Sequence, residues 1–298
     1  RRRLPARTPR TRPRYPDRES KIIVTAQPLV YIVVLTWNGK DDTLECLRSL
    51  QNVTYSNFKI LVVDNASVDG TAEAILKEFP DVEVVINKSN LRFAGGNNVG
   101  IQKALDQGAK YIMLLNNDTV VEKNFLNNLL DAAEKNSLIG MVGPKIFFHG
   151  DSRRLWYAGG KIEWWKGWIS HIGVRQIDNG QYDIQSETDY ITGCCLLVKS
   201  EVINQVGMLD ENYFIYGEDA DWCIRTSRAG YTLLYVPTAV VWHKLSVSSG
   251  GHLSWFKNWN KLKSQLRLLA RYARWYHWLT IPFGFVANFL SSLYRVKT

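Results

Sequence analysis

Asn116-Asn117-Asp118 interrupts an apolar run, Tyr111 to Leu115, that reads as a buried strand. In α/β folds, ligands bind at the carboxyl edge of the sheet, where such a strand delivers its polar end. The hard oxygens of Asp118 suit Mg2+ or Mn2+, whose usual work is to neutralise phosphate. A polar turn after a strand would carry the same residues, so the rest of the chain must decide. A denser acidic group, Glu218-Asp219-Ala220-Asp221, opens a helical pattern over Glu218–Ala229. The helix dipole favours acids there, yet three acids in four residues exceed what capping needs. Crowded carboxylates raise one another's pKa, and one can then serve as a general base. Asp221 and Arg225 are also spaced to pair along the helix. His243 ends the apolar Val241-Trp242. It is a surface residue on one reading and, beside an acid-bound cation, a metal ligand on the other.

Three further clusters fall at strand ends. Thr36-Trp37-Asn38 and Asp64-Asn65-Ala66-Ser67-Val68-Asp69-Gly70-Thr71 carry short oxygen and amide groups suited to a base and ribose. Asp69 with Thr71 would equally make a helix N-cap. Asn90 to Asn98 opens a helix with Gly95 and Gly96, where backbone N–H groups attract anions and Arg92 adds a forked charge. A plain cap with a surface arginine would look the same.

These clusters need elements to carry them. Strands are expected at Leu29–Leu35, Phe58–Val63, Val82–Ile86 and Tyr111–Leu115, with helices at Asp41–Leu50, Val68–Phe79, Phe93–Gln107 and Glu122–Lys135. Asp41 and Asp42 are N-cap candidates. This alternation predicts an α/β domain with a mostly parallel sheet and helices on both faces. After Ile139 the rhythm changes. Trp156 to Val174 suggests hairpins, Gly193–Lys199 a strand, Ser200–Val206 a short helix, and Tyr231–Val236 and Ala239–Trp242 two strands.

Charge is unevenly placed. Residues 1–21 carry nine basic residues against two acids, and residues 244–298 carry nine against none. Of the net +9, these ends supply +7 and +9, which leaves −7 for residues 22–243. An acidic body does not suit nucleic acid; it suits cations. Four cysteines, with Cys194 and Cys195 adjacent, give neither a disulfide framework nor metal spacing. Sequons at Asn52, Asn65, Asn87 and Asn117 include two inside the best motifs, which disfavours a glycosylating lumen. Residues 1–21, rich in Arg and Pro without an apolar core, read as disordered.

Taken in order, Thr36-Trp37-Asn38-Gly39, Val63 to Thr71, Asn90 to Asn97, Asn116-Asn117-Asp118, Gly217 to Asp221 and His243 resemble the family 2 glycosyltransferases of the GT-A fold. The resemblance is closest to rhamnosyltransferase-like members that build surface polysaccharides or glycolipids, and it spans residues 29–245. It implies a nucleotide-diphosphate-sugar donor, with dTDP-rhamnose as first choice and UDP- or GDP-sugars as alternatives. It also implies inverting transfer to a hydroxyl of a glycan or lipid-linked acceptor. Thr36, Asn38, Asp64 and Asp69 would meet the nucleoside, Arg92 the base or phosphate, and Asn97 and Asn117 the nucleotide sugar. Asp118 would match the last acid of the family's D-x-D motif and hold Mg2+ or Mn2+ with His243. Asp219, beside Glu218, would be the general base. The first acid of D-x-D is Asn116 here, so the protein offers one carboxylate to the metal.

The implied organisation is a basic segment at 1–21, a GT-A domain at 22–250 and a basic helical extension at 251–298. On a helical projection of Trp255–Tyr276, Trp255, Trp259, Leu262, Leu266, Leu269, Ala273 and Tyr276 share one side. Lys257, Lys261, Lys263, Arg267, Arg271 and Arg274 lie opposite, with Leu268 and Trp275 out of place. This pattern suits a helix lying in a membrane interface or one packed on the acidic body. The stretch Leu279–Leu290 is too short to span a bilayer but could dip into one leaflet. A cytoplasmic enzyme at the inner face of the cell membrane is therefore expected, with contact through residues 255–290; the sequence leaves oligomeric state open. The rivals are a sugar nucleotidyltransferase, which would show a basic triphosphate loop, and a carbohydrate-binding protein using Trp156, Tyr157, Trp164, Trp165 and Trp168.

Overall fold

The computed structural model describes residues 27–244 and 255–286. The basic segment 1–21 and the end of the Leu279–Leu290 stretch lie outside the described residues. The amino-terminal half alternates as its apolar runs dictate: β1 (Val30–Thr36), α1 (Lys40–Leu50), β2 (Phe58–Asp64), α2 (Thr71–Glu78), β3 (Glu83–Ile86), α3 (Arg92–Asp106) and β4 (Tyr111–Asn116). There follow β5 (Thr119–Val121), α4 (Phe125–Glu134), β6 (Ile139–Phe148), β7 (Asp151–Tyr157), a hairpin of β8 (Gly160–Glu163) and β9 (Trp168–His171), and β10 (Ser186–Glu187). The chain continues through β11 (Cys195–Lys199), α5 (Ser200–Val206), α6 (Glu218–Arg228), β12 (Thr232–His243) and α7 (Trp255–Tyr272).

The main sheet runs β12-β6-β11-β4-β1-β2-β3, with β10 beyond β12. Neighbours from β4 to β3 are parallel, β11 is antiparallel to both β4 and β6, and β12 is parallel to β6. All strands of that path except β11 therefore point the same way. Asp64, Asn116 and His243, which end β2, β4 and β12, share one edge. The start of β11 meets them there, because Cys195 pairs with Leu115. One face of the sheet is covered by α1, α2 and α4 through Leu47, Ile75 and Leu129, and the other by α3, α5, α6 and α7 through Ile101, Ile203, Trp222 and Leu268.

Several boundaries differ from the sequence expectation. Strand β6 has no counterpart in the sequence expectation, although nine of its ten residues are buried: Gly140, Gly143 and Pro144 interrupt the apolar pattern. The glycines are there for close packing: a Cβ on Gly143 would sit 2.3 Å from Ile191 Cγ2. Pro144 falls where the register with β12 shifts, so its missing N–H disturbs no regular ladder. The same irregularity absorbs Pro237, so the two strands expected at Tyr231–Val236 and Ala239–Trp242 are one continuous β12. Helix α2 begins at Thr71 rather than Val68, since Gly70 is left-handed. Asp41 and Asp42 do not cap α1; Gly39 occupies that position without a side-chain bond. Asp42 instead accepts from Lys244 Nζ at 2.9 Å.

Helix α7 packs on the body. Asn260, Ser264, Leu268, Leu269 and Tyr272 are buried, whereas Trp259 and Leu266, expected on the apolar side, are exposed. Leu268, out of place in the projection, is fully buried. The buried face is thus turned from the projected one, and polar bonds set the turn: Ser264 Oγ donates to Ile215 O at 3.0 Å, and Arg271 Nη1 to Asp221 at 2.9 Å.

Candidate active site

Short polar bonds build the amino-terminal wall of the crevice. Thr36 Oγ1 lies 2.8 Å from Thr43 Oγ1 at the foot of α1. Asn117 Nδ2 donates to Thr43 Oγ1 at 3.0 Å, which ties the end of β4 to the same corner. Asn38, at φ 50°, donates its N–H to Ser67 Oγ and accepts from Val68 N–H at 2.8 Å. Asp64, buried, accepts from the Ser67 N–H at 3.0 Å. Asp69 accepts from the backbone of Thr71 and of Lys40. Partial burial would raise the Asp69 carboxyl, but a bond from the Thr71 hydroxyl together with these backbone bonds overcomes it and holds it below its ordinary value. The loops after β1 and β2 are thus locked together by the residues expected to meet the nucleoside. Asn65, not singled out beforehand, completes the lock by accepting from Asn87 Nδ2 at 2.8 Å and donating to Arg92 O at 3.0 Å.

The α3 start is also built for packing. Gly95 and Gly96 belong to the first turns, and a Cβ on Gly96 would lie 2.4 Å from Leu35 Cδ1. Gly96 lets the helix approach the sheet, whereas Gly95 faces Leu91 and Glu211. Asn97 is buried, and its Nδ2 donates to Phe93 O at 2.9 Å, bracing the helix from within. Arg92 is left-handed at φ 64°, an uncommon conformation for a residue with a Cβ. It lays its guanidinium 3.8 Å over the Phe214 ring.

Sheet register brings Asp118 and His243 together. Strand β5 pairs Thr119 with His243, so Asp118, one residue earlier, lies beside the imidazole. His243 Nε2 is 3.1 Å from Asp118 Oδ1, and both residues are buried. His243 Nδ1 is buried with no hydrogen-bond partner among the described residues. Trp156 packs edge-on against both His243 and His171, with ring centroids 4.5 Å apart in each pair. Burial pushes His171 down to about 4, so it is neutral. Lys244, also missed in the sequence, clamps this strand end to α1 through Asp42 and Glu45, at 2.9 and 2.6 Å. Among the described residues no cluster of three or more metal-ligating side chains forms. An oxygen and an imidazole that converge with an unused ring nitrogen nevertheless fit a divalent ion that takes its remaining ligands from phosphate.

The acidic helix start divides into three roles. Asp221 is fully buried, held by Arg225 Nε at 2.8 Å, Arg271 Nη1 at 2.9 Å and Tyr272 OH at 2.7 Å. It is structural. Asp219 accepts from the Gly193 N–H at 3.0 Å and the Ala220 N–H at 2.8 Å. Burial raises its pKa, and those two donors oppose the rise. Glu218 is buried, with Oε2 lacking a hydrogen-bond partner. Burial and then the charge of Asp219 push it up to about 8. Glu218 therefore holds its proton at neutral pH, while the two backbone donors favour the ionised form of Asp219. Gly193 precedes Cys194, whose carbonyl accepts from Asn116 N–H at 2.9 Å, so the acidic pair stands next to the end of β4.

Residues 31–207 match the family described as glycosyl transferase family 2. The chain belongs to that family, and it is an enzyme of glycosyl transfer with the GT-A fold. The N-acetylglucosaminyl-diphospho-decaprenol L-rhamnosyltransferase of Mycobacterium tuberculosis is 28% identical over 240 residues, covering 74% of this chain and 77% of its own. The dTDP-rhamnosyl transferase RfbF of Shigella flexneri is 25% identical over 223 residues, covering 74% and 70%. The crystal structure of GalNAc-T7 with UDP, GalNAc and Mn2+ superposes with a TM-score of 0.65 at 18% identity. That match covers 82% of this chain but only about half, 48%, of the other.

Proposed function

We propose that the enzyme transfers L-rhamnose from dTDP-rhamnose, with inversion, to a hydroxyl of a sugar carried on a lipid diphosphate. The observation that carries the chemistry is that one sheet edge holds both a backbone-pinned Asp219 and the convergent Asp118 and His243. The relatives support the finer identities: one is named for a dTDP-rhamnosyl donor and the other for a diphospho-decaprenol acceptor.

In this reading Asp219 takes the proton of the acceptor hydroxyl as that oxygen attacks the anomeric carbon from the face opposite the departing nucleoside diphosphate. The Gly193 and Ala220 N–H groups keep the carboxylate aimed and ionised, and protonated Glu218 adds no second negative charge. One placed base contributes about 10²–10⁴ in rate. Thr36, Asn38, Asp64 and Asp69 form the nucleoside cradle, and Asn117 sets its floor. Asp118 and His243 hold Mn2+ or Mg2+, which when bound offsets the charge growing on the leaving diphosphate.

Peripheral membrane attachment belongs to the same reading. Trp275, Leu279, Phe283 and Val286 are 78%, 66%, 75% and 59% exposed, close to the basic side chains of α7. Among the described residues no helix is long and apolar enough to cross a membrane.

Product analysis with a panel of nucleotide sugars and prenyl-diphosphate-linked N-acetylglucosamine tests the reaction. Turnover with dTDP-rhamnose, lost in Asp118→Ala together with Mn2+ binding, is expected. Full activity in excess chelator would remove the metal from the scheme, and transfer from UDP- or GDP-sugars alone would replace the donor.

A further inference from the structure

A cleft of about 520 Å³ lies between the loop before α6, the start of α3 and the outer side of α7. Its lining includes Arg92, Phe214, Asn260, Lys263, Ser264 and Arg267, and no acidic residue. Three cations thus face one space. Among the described residues none of the three is paired with a carboxylate; their recorded contacts are with rings, Arg92 over Phe214, Lys263 over Trp259 and Arg267 over Tyr213. Ring contacts orient a cation without neutralising it.

The cleft adjoins the proposed base on two sides. Ser264, on its wall, donates to Ile215 O and would lie 3.5 Å from a Cβ on Gly217, the residue before Glu218. Arg92 precedes Phe93, whose ring sits 2.8 Å from where a Cβ on Gly193 would be, and Gly193 N–H holds Asp219. The loops after β1 and β2 contribute no lining residue, so the nucleoside cradle is elsewhere. The α7 wall is fixed in place, because Arg271 and Tyr272 bond to fully buried Asp221. Arg92 accepts a left-handed backbone and aims its fork into this space.

We infer that this cleft is a phosphate-binding subsite for the acceptor, seating the diphosphate that joins the acceptor sugar to its lipid beside Asp219. The inference rests on the proposed acceptor class and gives it a place. Guanidinium and ammonium groups suit phosphate oxygens by charge-assisted bonds. Beyond α7 the exposed Trp275, Leu279 and Phe283 offer the lipid chain an apolar route.

The test uses the full chain and the double variant Lys263→Gln/Arg267→Gln. Inorganic pyrophosphate, titrated by calorimetry in chelator so that no metal assists, should bind the wild type and lose at least about tenfold in affinity in the variant. Asp118→Ala should leave that affinity unchanged. Equal affinity in wild type and double variant overturns the subsite, and so does binding that requires vesicles with phosphatidylglycerol and is absent with pyrophosphate. In turnover, the variant should lose about tenfold in kcat/KM on the prenyl-diphosphate acceptor, with the donor KM unchanged. A phosphate-free N-acetylglucosaminide should be used equally by both proteins, and an equal loss on the two acceptors overturns the proposal. If neither acceptor turns over, the acceptor reading fails on its own, and the pyrophosphate titration still decides the subsite.

Discussion

The two walls of the crevice treat polar groups in opposite ways. On the amino-terminal wall, the side chains of Asn38, Asp64, Asn65 and Asp69 all bond to backbone, Asn38 and Asp69 across the two loops, and Asp69 is held below its ordinary pKa. On the other wall, Glu218 and His243 each keep a buried atom without a hydrogen-bond partner, and both acids of the Glu218–Asp219 pair are pushed up. Burying an unsatisfied polar atom costs about 1–3 kcal/mol. A wall that only binds can be finished before its ligand arrives. On the proposal that this wall moves protons, its groups must stay poised, and the fold bears that cost there.

Breaking the poised wall should have the largest effects. Asp219→Asn is expected to cut kcat by about 10²–10⁴ while nucleotide affinity by calorimetry holds. Near-normal turnover in that variant, with Glu218→Gln inactive, would exchange the two roles. Asp221→Ala leaves Arg225 and Arg271 without their shared anion and should cost about 3–5 kcal/mol in denaturant unfolding. A loss below about 1 kcal/mol would mean that the carboxylate does not hold α7.

Glu218→Gln sharpens the comparison through pH. The Glu218 carboxyl, raised from 4.5 to about 8, keeps its proton in the folded state where the unfolded chain has lost it. Its contribution to stability is full below pH 4.5 and disappears as pH climbs to about 8. The variant lacks this term, so its melting point relative to wild type should rise between pH 5 and pH 8. A constant difference across that range would show that Glu218 is ionised when folded. The smallest effect belongs to the finished wall. Asn38→Ala, at an exposed bond, should cost about 1 kcal/mol or less and weaken nucleotide binding only a few-fold. A loss as large as that of Asp221→Ala would erase the contrast between the walls.

The finished wall was also the legible one. Val30–Thr36 and Phe58–Asp64 are mostly apolar runs rich in Val and Ile, separated by an amphipathic helix, and periodicity reports such elements directly. Asp118, Asp219 and His243 stood out in the sequence because each lies at or beside the end of an element. Their meeting was not, since Asp118 reaches His243 only through the three-residue β5, too short to leave a pattern. Gly193 was invisible in its role because a backbone N–H has no sequence signature. Strand β6 was hidden by Gly143 and Pro144, whose reasons, Ile191 and a register shift, lie on other elements. The orientation of α7 could not be read from periodicity either, because Ser264 and Arg271 set it by polar bonds to distant residues.

The bond between Asp221 and α7 also bears on how the protein is made. Synthesis proceeds from the amino end, and Asp221 emerges fifty residues before Arg271. Until that segment follows, Arg225 alone balances a carboxylate meant for a dry interior. Native packing of α6, and with it the setting of Asp219, therefore waits for Arg271 and Tyr272. A nascent chain stalled before those residues is expected to hold a folded nucleoside cradle and an unassembled base. It would bind donor without spending it.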